Sequence, residues 1–254
     1  MAIADPTLRF SSRVENYIRY RPGYPPQVLE TLKTECGLTN SSTVADIACG
    51  TGIFTRMLLE NGNHVFGVEP NREMREAAER LLASYSNFAS VSGTAEASNL
   101  ADQSIDLAAA AQAAHWFDLP KARREFARIL KPAAWAVLIW NERRTDSTPF
   151  LRAYEDLLLR YGTDYEKVRH EHTTDSIGDF FAPTPYEARA FDMRQEFTYA
   201  DLEGRLLSSS YAPMPGHPEH DPMLEELRRI FETYSKDGRV SMDYVTRLYF
   251  GQLT

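Results

Sequence analysis

The chain has 254 residues, 43% of them hydrophobic and 25% charged, with a formal net charge of −8. Those values describe a globular protein long enough to bury a sizeable core, and they exclude a disordered or fibrous chain. The acidic balance weighs against a protein that must neutralise a phosphate backbone, and Met1-Ala2-Ile3-Ala4-Asp5-Pro6 lacks a basic region followed by an apolar leader.

With apolar stretches far short of a membrane span, a soluble cytoplasmic protein is expected, monomeric or homodimeric, with a small molecule rather than nucleic acid or membrane as its partner. The two cysteines, Cys36 and Cys49, offer neither a disulfide framework nor a zinc spacing, and reduced thiols are expected. His170-Glu171-His172 and His217-Pro218-Glu219-His220 lack a nearby second ligand cluster, so they read as surface loops and no metal is expected.

In chain order, Val28, Leu29, Leu32 and Cys36 keep a helical period after Pro25-Pro26, and Gly37 offers a stop. Val44 to Ala48 reads as a short buried strand. Gly50 and Gly52 then allow a tight turn with backbone close to a ligand, and an amphipathic helix follows, its free N–H groups facing that ligand. A second apolar run, His64 to Val68, ends on the acid Glu69 and on Pro70. Asn71 caps the next helix, whose stripe is Met74, Ala77, Ala78, Leu81 and Leu82.

A third strand, Phe88 to Ser92, and a fourth, Ile105 to Ala111, precede a helix opened by Asp118 and Pro120 and carrying Ala122, Phe126, Ile129 and Leu130. Ala134 to Trp140 is the fifth strand. Strands alternating with helices of this length imply a doubly wound parallel sheet over residues 43–140. Thr148-Pro149 starts a helix that Gly162 ends. We read 141–190 as a helical cap inserted over the carboxyl ends of the strands. Strands at Phe191 to Thr198 and Tyr244 to Phe250, with helices from Asp201 and Asp221 between them, let 191–254 complete a seven-stranded sheet, while 1–42 supplies an N-terminal cover and the first helix.

Asp46-Ile47-Ala48-Cys49-Gly50-Thr51-Gly52, with Glu69 at the offset where such folds place a carboxylate on ribose hydroxyls, resembles the Asp-x-Gly-x-Gly-x-Gly motif of class I methyltransferases, which use S-adenosylmethionine. The third glycine of the dinucleotide fingerprint is missing, which disfavours a nicotinamide cofactor and its pyrophosphate. Ala48 replaces the usual first glycine, a departure expected to restrict slightly the approach of the methionine part. Lys131-Pro132-Ala133-Ala134 replaces a common Lys-Pro-Gly-Gly turn.

The resemblance implies a Rossmann-like α/β fold, S-adenosylmethionine as cofactor and S-adenosylhomocysteine as product. It places Asp46 by the methionine ammonium, Glu69 and Pro70 at the ribose, Met74 as a lid on adenine, and Ala95 and Glu96 at the adenine border. It also sets Gln112 to Trp116 beside the acceptor. His115 is a candidate general base, since imidazole titrates near neutrality, and Trp116 a candidate acceptor contact; both are also compatible with simple packing.

Phe10-(x)6-Tyr17-(x)3-Arg21-Pro22-x-Tyr24-Pro25 resembles the opening of a subgroup of small-molecule enzymes that includes the trans-aconitate methyltransferase. That implies a movable cover over residues 1–24, with Tyr17 and Arg21 at the methionine moiety. Arg143 and Arg144, just past the fifth strand, are candidates to clamp an acceptor carboxylate. The functional expectation is methyl transfer to a small molecule, a carboxylate-bearing one favoured; the alternatives are a noncatalytic cofactor-binding or regulatory protein and a nucleic-acid methylase, which the missing Asn/Asp-Pro-Pro-Tyr/Phe element disfavours.

Overall fold

Five apolar runs become parallel strands: β1 (Thr43–Ile47), β2 (His64–Val68), β3 (Phe88–Val91), β4 (Ile105–Ala111) and β5 (Leu130–Arg143). Two later strands, β6 (Tyr186–Phe197) and β7 (Val240–Gln252), pair antiparallel with each other, and β7 pairs antiparallel with β5. The sheet order is β3-β2-β1-β4-β5-β7-β6 in this computed structural model, which describes residues 14–168 and 173–253. Phe10, most of the proposed cover and His170-Glu171-His172 therefore lie outside the described residues.

The central strands are near-continuous apolar runs because both sheet faces are covered. On one face pack α2 (Pro26–Glu35), α3 (Ile53–Glu60) and α4 (Arg72–Leu81), through Val28, Leu32, Phe54, Leu58 and Ala78. On the other pack α5 (Leu119–Ile129) and, later in the chain, α8 (Thr173–Phe181), through Phe126, Phe180 and Phe181. Capping follows the sequence reading: Asn71 Oδ1 accepts from Met74 N at 2.8 Å, and the Asp118 side chain accepts from Lys121 N.

Two strands run well past their expected bounds. β6 begins at Tyr186, not Phe191, because it is an edge strand: Glu187, Arg189, Asp192, Arg194 and Glu196 alternate along it and hide the apolar signal while blunting the edge. β5 runs to Arg143, past Trp140, held by β7 through the Arg143–Tyr244 register pair.

Beyond β5 a third cluster forms away from the main sheet core. Here α6 (Pro149–Tyr161) packs with α9 (Tyr199–Leu207) and α10 (His220–Tyr234), burying Leu151, Tyr154, Leu202, Leu227 and Tyr244. Between α6 and α8 lies the short α7 (Tyr165–Val168). The stretch 141–190 is thus divided: α6 joins α9 and α10, while α8 packs on α5 across the sheet.

The N-terminal helix α1 (Val14–Tyr20) lies on α9. The approach is close enough to require a residue without a side chain, since a Cβ on Gly204 would fall 2.0 Å from Tyr20 Cε2. Gly23 O accepts from Asn141 Nδ2 at 2.9 Å, and Asn141 Oδ1 accepts from Thr246 Oγ1 at 2.7 Å, so one buried amide ties the N-terminal lead-in to β5 and β7. Among the described residues no helix is long and apolar enough to cross a membrane.

Candidate active site

Strand β1 has β2 on one side and β4 on the other, so the chain direction of winding reverses there and a crevice opens beyond the carboxyl ends of these strands. A cavity of about 770 Å³ occupies this place. Every site residue expected from the sequence lines it except Gly52. Gly52 instead caps α3 with φ 85°, and a Cβ there would lie 2.6 Å from Leu82 Cδ1, so its glycine serves packing of α3 on α4.

Asp46, 1% exposed on β1, accepts from Thr55 Oγ1 at 2.6 Å through Oδ2, while its buried Oδ1 has no hydrogen-bond donor. Burial raises its pKa to about 7, opposed by the Thr55 hydrogen bond and reinforced by the nearby Glu69 charge. Glu69 follows β2 and is 6% exposed. Its Oε2 accepts from Gly50 N at 2.8 Å and its Oε1 from Asn71 N at 2.9 Å. The two bonds fix the carboxylate and leave half of its acceptor capacity for a ligand. Burial raises its pKa, and the two backbone N–H groups pull the other way.

At the ends of β1 and β4, Ala48 (φ 58°) and Gln112 (φ 59°) take the left-handed backbone that disfavours a Cβ. The substitution of the usual glycine by Ala48 is therefore met with strain, not with a different turn. Replacing Ala48 by glycine is expected to raise stability by about 1 kcal/mol, the relieved strain less the added freedom of the unfolded chain. Urea unfolding measures this, and an unchanged or lower midpoint would show the turn to be unstrained.

Met74 is 4% exposed, with its side chain beside Gly50. Ala95 is buried, whereas Glu96 Oε1 accepts from Asp118 N at 2.9 Å, so this acid also fastens the loop after β3 to the start of α5. That loop is anchored from beneath by Glu125, which accepts from Ser98 N, Ser98 Oγ and Arg128 and is held at a pKa of about 2, chiefly by Arg128. His115 and Trp116 lie on a short 3-10 turn, Ala114–Trp116, with ring centroids 4.6 Å apart. The thiol of Cys49, which also lines the cavity, is pushed well up by burial and by Asp46 and Glu69, and is no nucleophile.

The arginine pair is separated by strand geometry. Neighbouring residues at a strand end face opposite ways, so Arg143 enters the cavity, donating to Glu155 and, at 3.0 Å, to Tyr165 Oη, while Arg144 pairs with Asp192 at 2.6 Å on the outside. Arg144 thus reaches only the rim.

Known proteins similar to this chain are methyltransferases. The profile of a family described as a methyltransferase domain matches residues 45–138. An uncharacterised methyltransferase of Mycobacterium tuberculosis is 38% identical over 95% of this chain and 94% of its own length. The chain belongs to the class I methyltransferase family. A second relative of this methyltransferase, an uncharacterised methyltransferase of Schizosaccharomyces pombe, is 33% identical over 94% of the chain and 84% of its own length. The fold is shared with a solved structure assigned as a type II methyltransferase from Anaeromyxobacter dehalogenans, at a TM-score of 0.71 and 22% identity over 92% of this chain and 98% of that one. Enzymes of this family take their methyl group from S-adenosylmethionine.

Sequence reasoning missed a second group of cavity residues in this methyltransferase: Arg205 on α9, Tyr211 after it, Tyr165 and, on β7, Tyr244. Arg205 carried a signal, since it stands three positions after Leu202 on the buried face of α9, an unusual place for a cation.

Proposed function

We propose that this methyltransferase binds S-adenosylmethionine along β1, β2 and the loop after β3, and methylates a small molecule held between β5 and α9. The observation that carries the cofactor half is the pairing of an orphaned, buried acceptor, Asp46 Oδ1, with a backbone-fixed carboxylate, Glu69. Asp46 matches an ammonium group, Glu69 a vicinal diol, and Met74 a flat apolar ring. Open space around Gly50, whose Cβ position meets only Met74 Cε at 3.9 Å, admits close backbone approach.

The bound cofactor supplies an electrophilic methyl group on a sulfonium. The protein's own residues then supply position and water exclusion. His115 is the group placed to accept a proton from an acceptor that needs deprotonation; an already ionised acceptor needs none. The acceptor compartment draws on two segments, with Arg143 and Tyr165 from the 141–190 stretch and Arg205, Tyr211 and Tyr244 from the C-terminal part. The reading 43–140 as cofactor core, with 141–190 and 191–254 jointly enclosing the acceptor, follows from this sharing.

Residues 14–24 form the described part of the cover. They bring Tyr17 and Arg21 to the cavity, with the guanidinium 5.0 Å from the Tyr17 ring centroid. Cofactor is expected to protect the N-terminal segment from proteolytic nicking, because Tyr17 and Arg21 gain a partner when it binds. Equal cleavage rates with and without S-adenosylhomocysteine would remove the cover from the mechanism.

Methyl transfer from labelled S-adenosylmethionine to a panel of organic acids, phenols, amines and RNA tests the function directly. Small molecules, organic acids foremost, are expected to take label. RNA as sole acceptor would overturn the small-molecule reading, and tight cofactor binding with no acceptor in any class would favour a noncatalytic binder.

A further inference from the structure

Five arginines line the cavity; Arg144 pairs with Asp192, Arg247 with Glu142 and Arg143 with Glu155, which leaves Arg21 and Arg205 without an ion pair among the described residues. Arg205 is 8% exposed and no carboxylate among the described residues pairs with it. Its Nη1 donates to Ser209 Oγ at 3.1 Å, and its Nε has no acceptor at all. Burial weighs most on it; the uncharged phenols of Tyr244, Tyr211 and Tyr154 surround it, and Arg21 is close enough to repel it. Nη1 of Arg143 is likewise buried without an acceptor, and Arg143 stacks at 5.0 Å on the Tyr154 ring.

A buried cation without a counter-charge is costly, and it persists where a ligand supplies the missing charge. The charges allot themselves. Glu155 balances Arg143, and Arg21, beside Tyr17, is left for the carboxylate of the methyl donor. One positive charge, that of Arg205, remains. We propose that Arg205 is the specificity-determining anion site for the methyl acceptor: the acceptor is a small organic acid whose carboxylate is held by the guanidinium groups of Arg205 and Arg143, which line the same cavity.

This proposal rests on the methyltransferase reading of the same cavity and goes beyond it by fixing the acceptor's charge and its handle. A carboxylate fits better than a phosphate. Arg205 lies in the last turn of α9, where helix carbonyls already offset part of its charge, so the site suits a monoanion. Two planar guanidinium groups with unpartnered N–H donors suit a planar carboxylate.

The test uses the full-length protein, first titrated with S-adenosylhomocysteine and then, once loaded, with acetate, benzoate, succinate or citrate, against inorganic phosphate and matched sodium chloride. At least one carboxylate is expected to raise the melting temperature of the loaded wild type by several degrees at millimolar concentration. That shift should vanish in Arg205→Gln and shrink in Arg205→Lys, which keeps charge but loses the fork. Unliganded Arg205→Gln should melt no lower than wild type, because an uncompensated charge has gone. Loss of stability in Arg205→Gln with the carboxylate shift intact would make Arg205 a helix-capping residue and overturn the proposal. So would a shift from phosphate alone, or none from any carboxylate in protein that binds S-adenosylhomocysteine. Failure of S-adenosylhomocysteine itself to bind wild type would instead strike the cofactor reading.

Discussion

Replacing Glu69 by alanine is expected to weaken S-adenosylhomocysteine binding by about 1 to 3 kcal/mol, roughly 5- to 150-fold in affinity. Two losses combine. The ligand diol loses a charged acceptor, and the N–H groups of Gly50 and Asn71, now bonded to Glu69 at 2.8 and 2.9 Å, are left without their partner, which loosens the turn after β1 and the start of α4. Glu69→Gln sharpens the test. An amide keeps the shape but turns one oxygen into a donor, and that donor must face either the Gly50 or the Asn71 N–H. Glutamine is therefore expected to fail almost as badly as alanine. Isothermal titration decides it: full binding by the glutamine variant would reduce Glu69 to a solvated acid at a strand end.

The parts of the site that could be read from the sequence are those built within one strand–turn–helix unit. Asp46, Gly50 and Glu69 lie in two consecutive units, and their spacing alone puts them at neighbouring strand ends. The sheet itself was legible for the same reason, since each buried strand announces itself by an unbroken apolar run. Where the run is broken by charge, as in the edge strand β6, the boundary moved.

Arg205 could not be placed by such reasoning, because its neighbours in space, Arg21, Tyr154 and Tyr244, come from distant parts of the chain. The pair Arg143 and Arg144 shows the same limit on a smaller scale. Adjacent in sequence and identical in chemistry, they are told apart only by where β5 ends: Arg143 is its last residue, paired with Tyr244 of β7, and Arg144, just beyond it, turns to Asp192. Gly52 is the converse case: its place in the motif suggested ligand contact, and its surroundings show a glycine required by Leu82.

Cofactor affinity is expected to rise about tenfold between pH 6 and pH 8, with Asp46 as the titrating group. Its pKa stands at about 7 because burial outweighs the Thr55 hydrogen bond, so the carboxylate is mostly protonated at pH 6 and mostly ionised at pH 8. A ligand ammonium beside Oδ1 favours the ionised form and so expels the proton on binding. Calorimetry near pH 6.5 in two buffers of different ionisation enthalpy should accordingly detect proton release, and Asp46→Asn should abolish both the release and the pH dependence while weakening binding overall. The unliganded protein carries the opposite signature. A carboxyl whose folded pKa lies above its unfolded value of 3.8 stabilises the fold below that value, and the contribution is lost as pH rises through 7. Glu125, held at about 2, works in reverse, stabilising above its unfolded value of 4.5 and losing that contribution as pH falls through 2. Between pH 5 and 7 Glu125 adds no slope and Glu69, also raised by burial, is common to both proteins, so the melting temperature of unliganded wild type should fall across that window relative to Asp46→Asn. Parallel curves for the two proteins, with no proton released on binding, would mean that Asp46 is ionised throughout and that its buried oxygen already has a partner in solution.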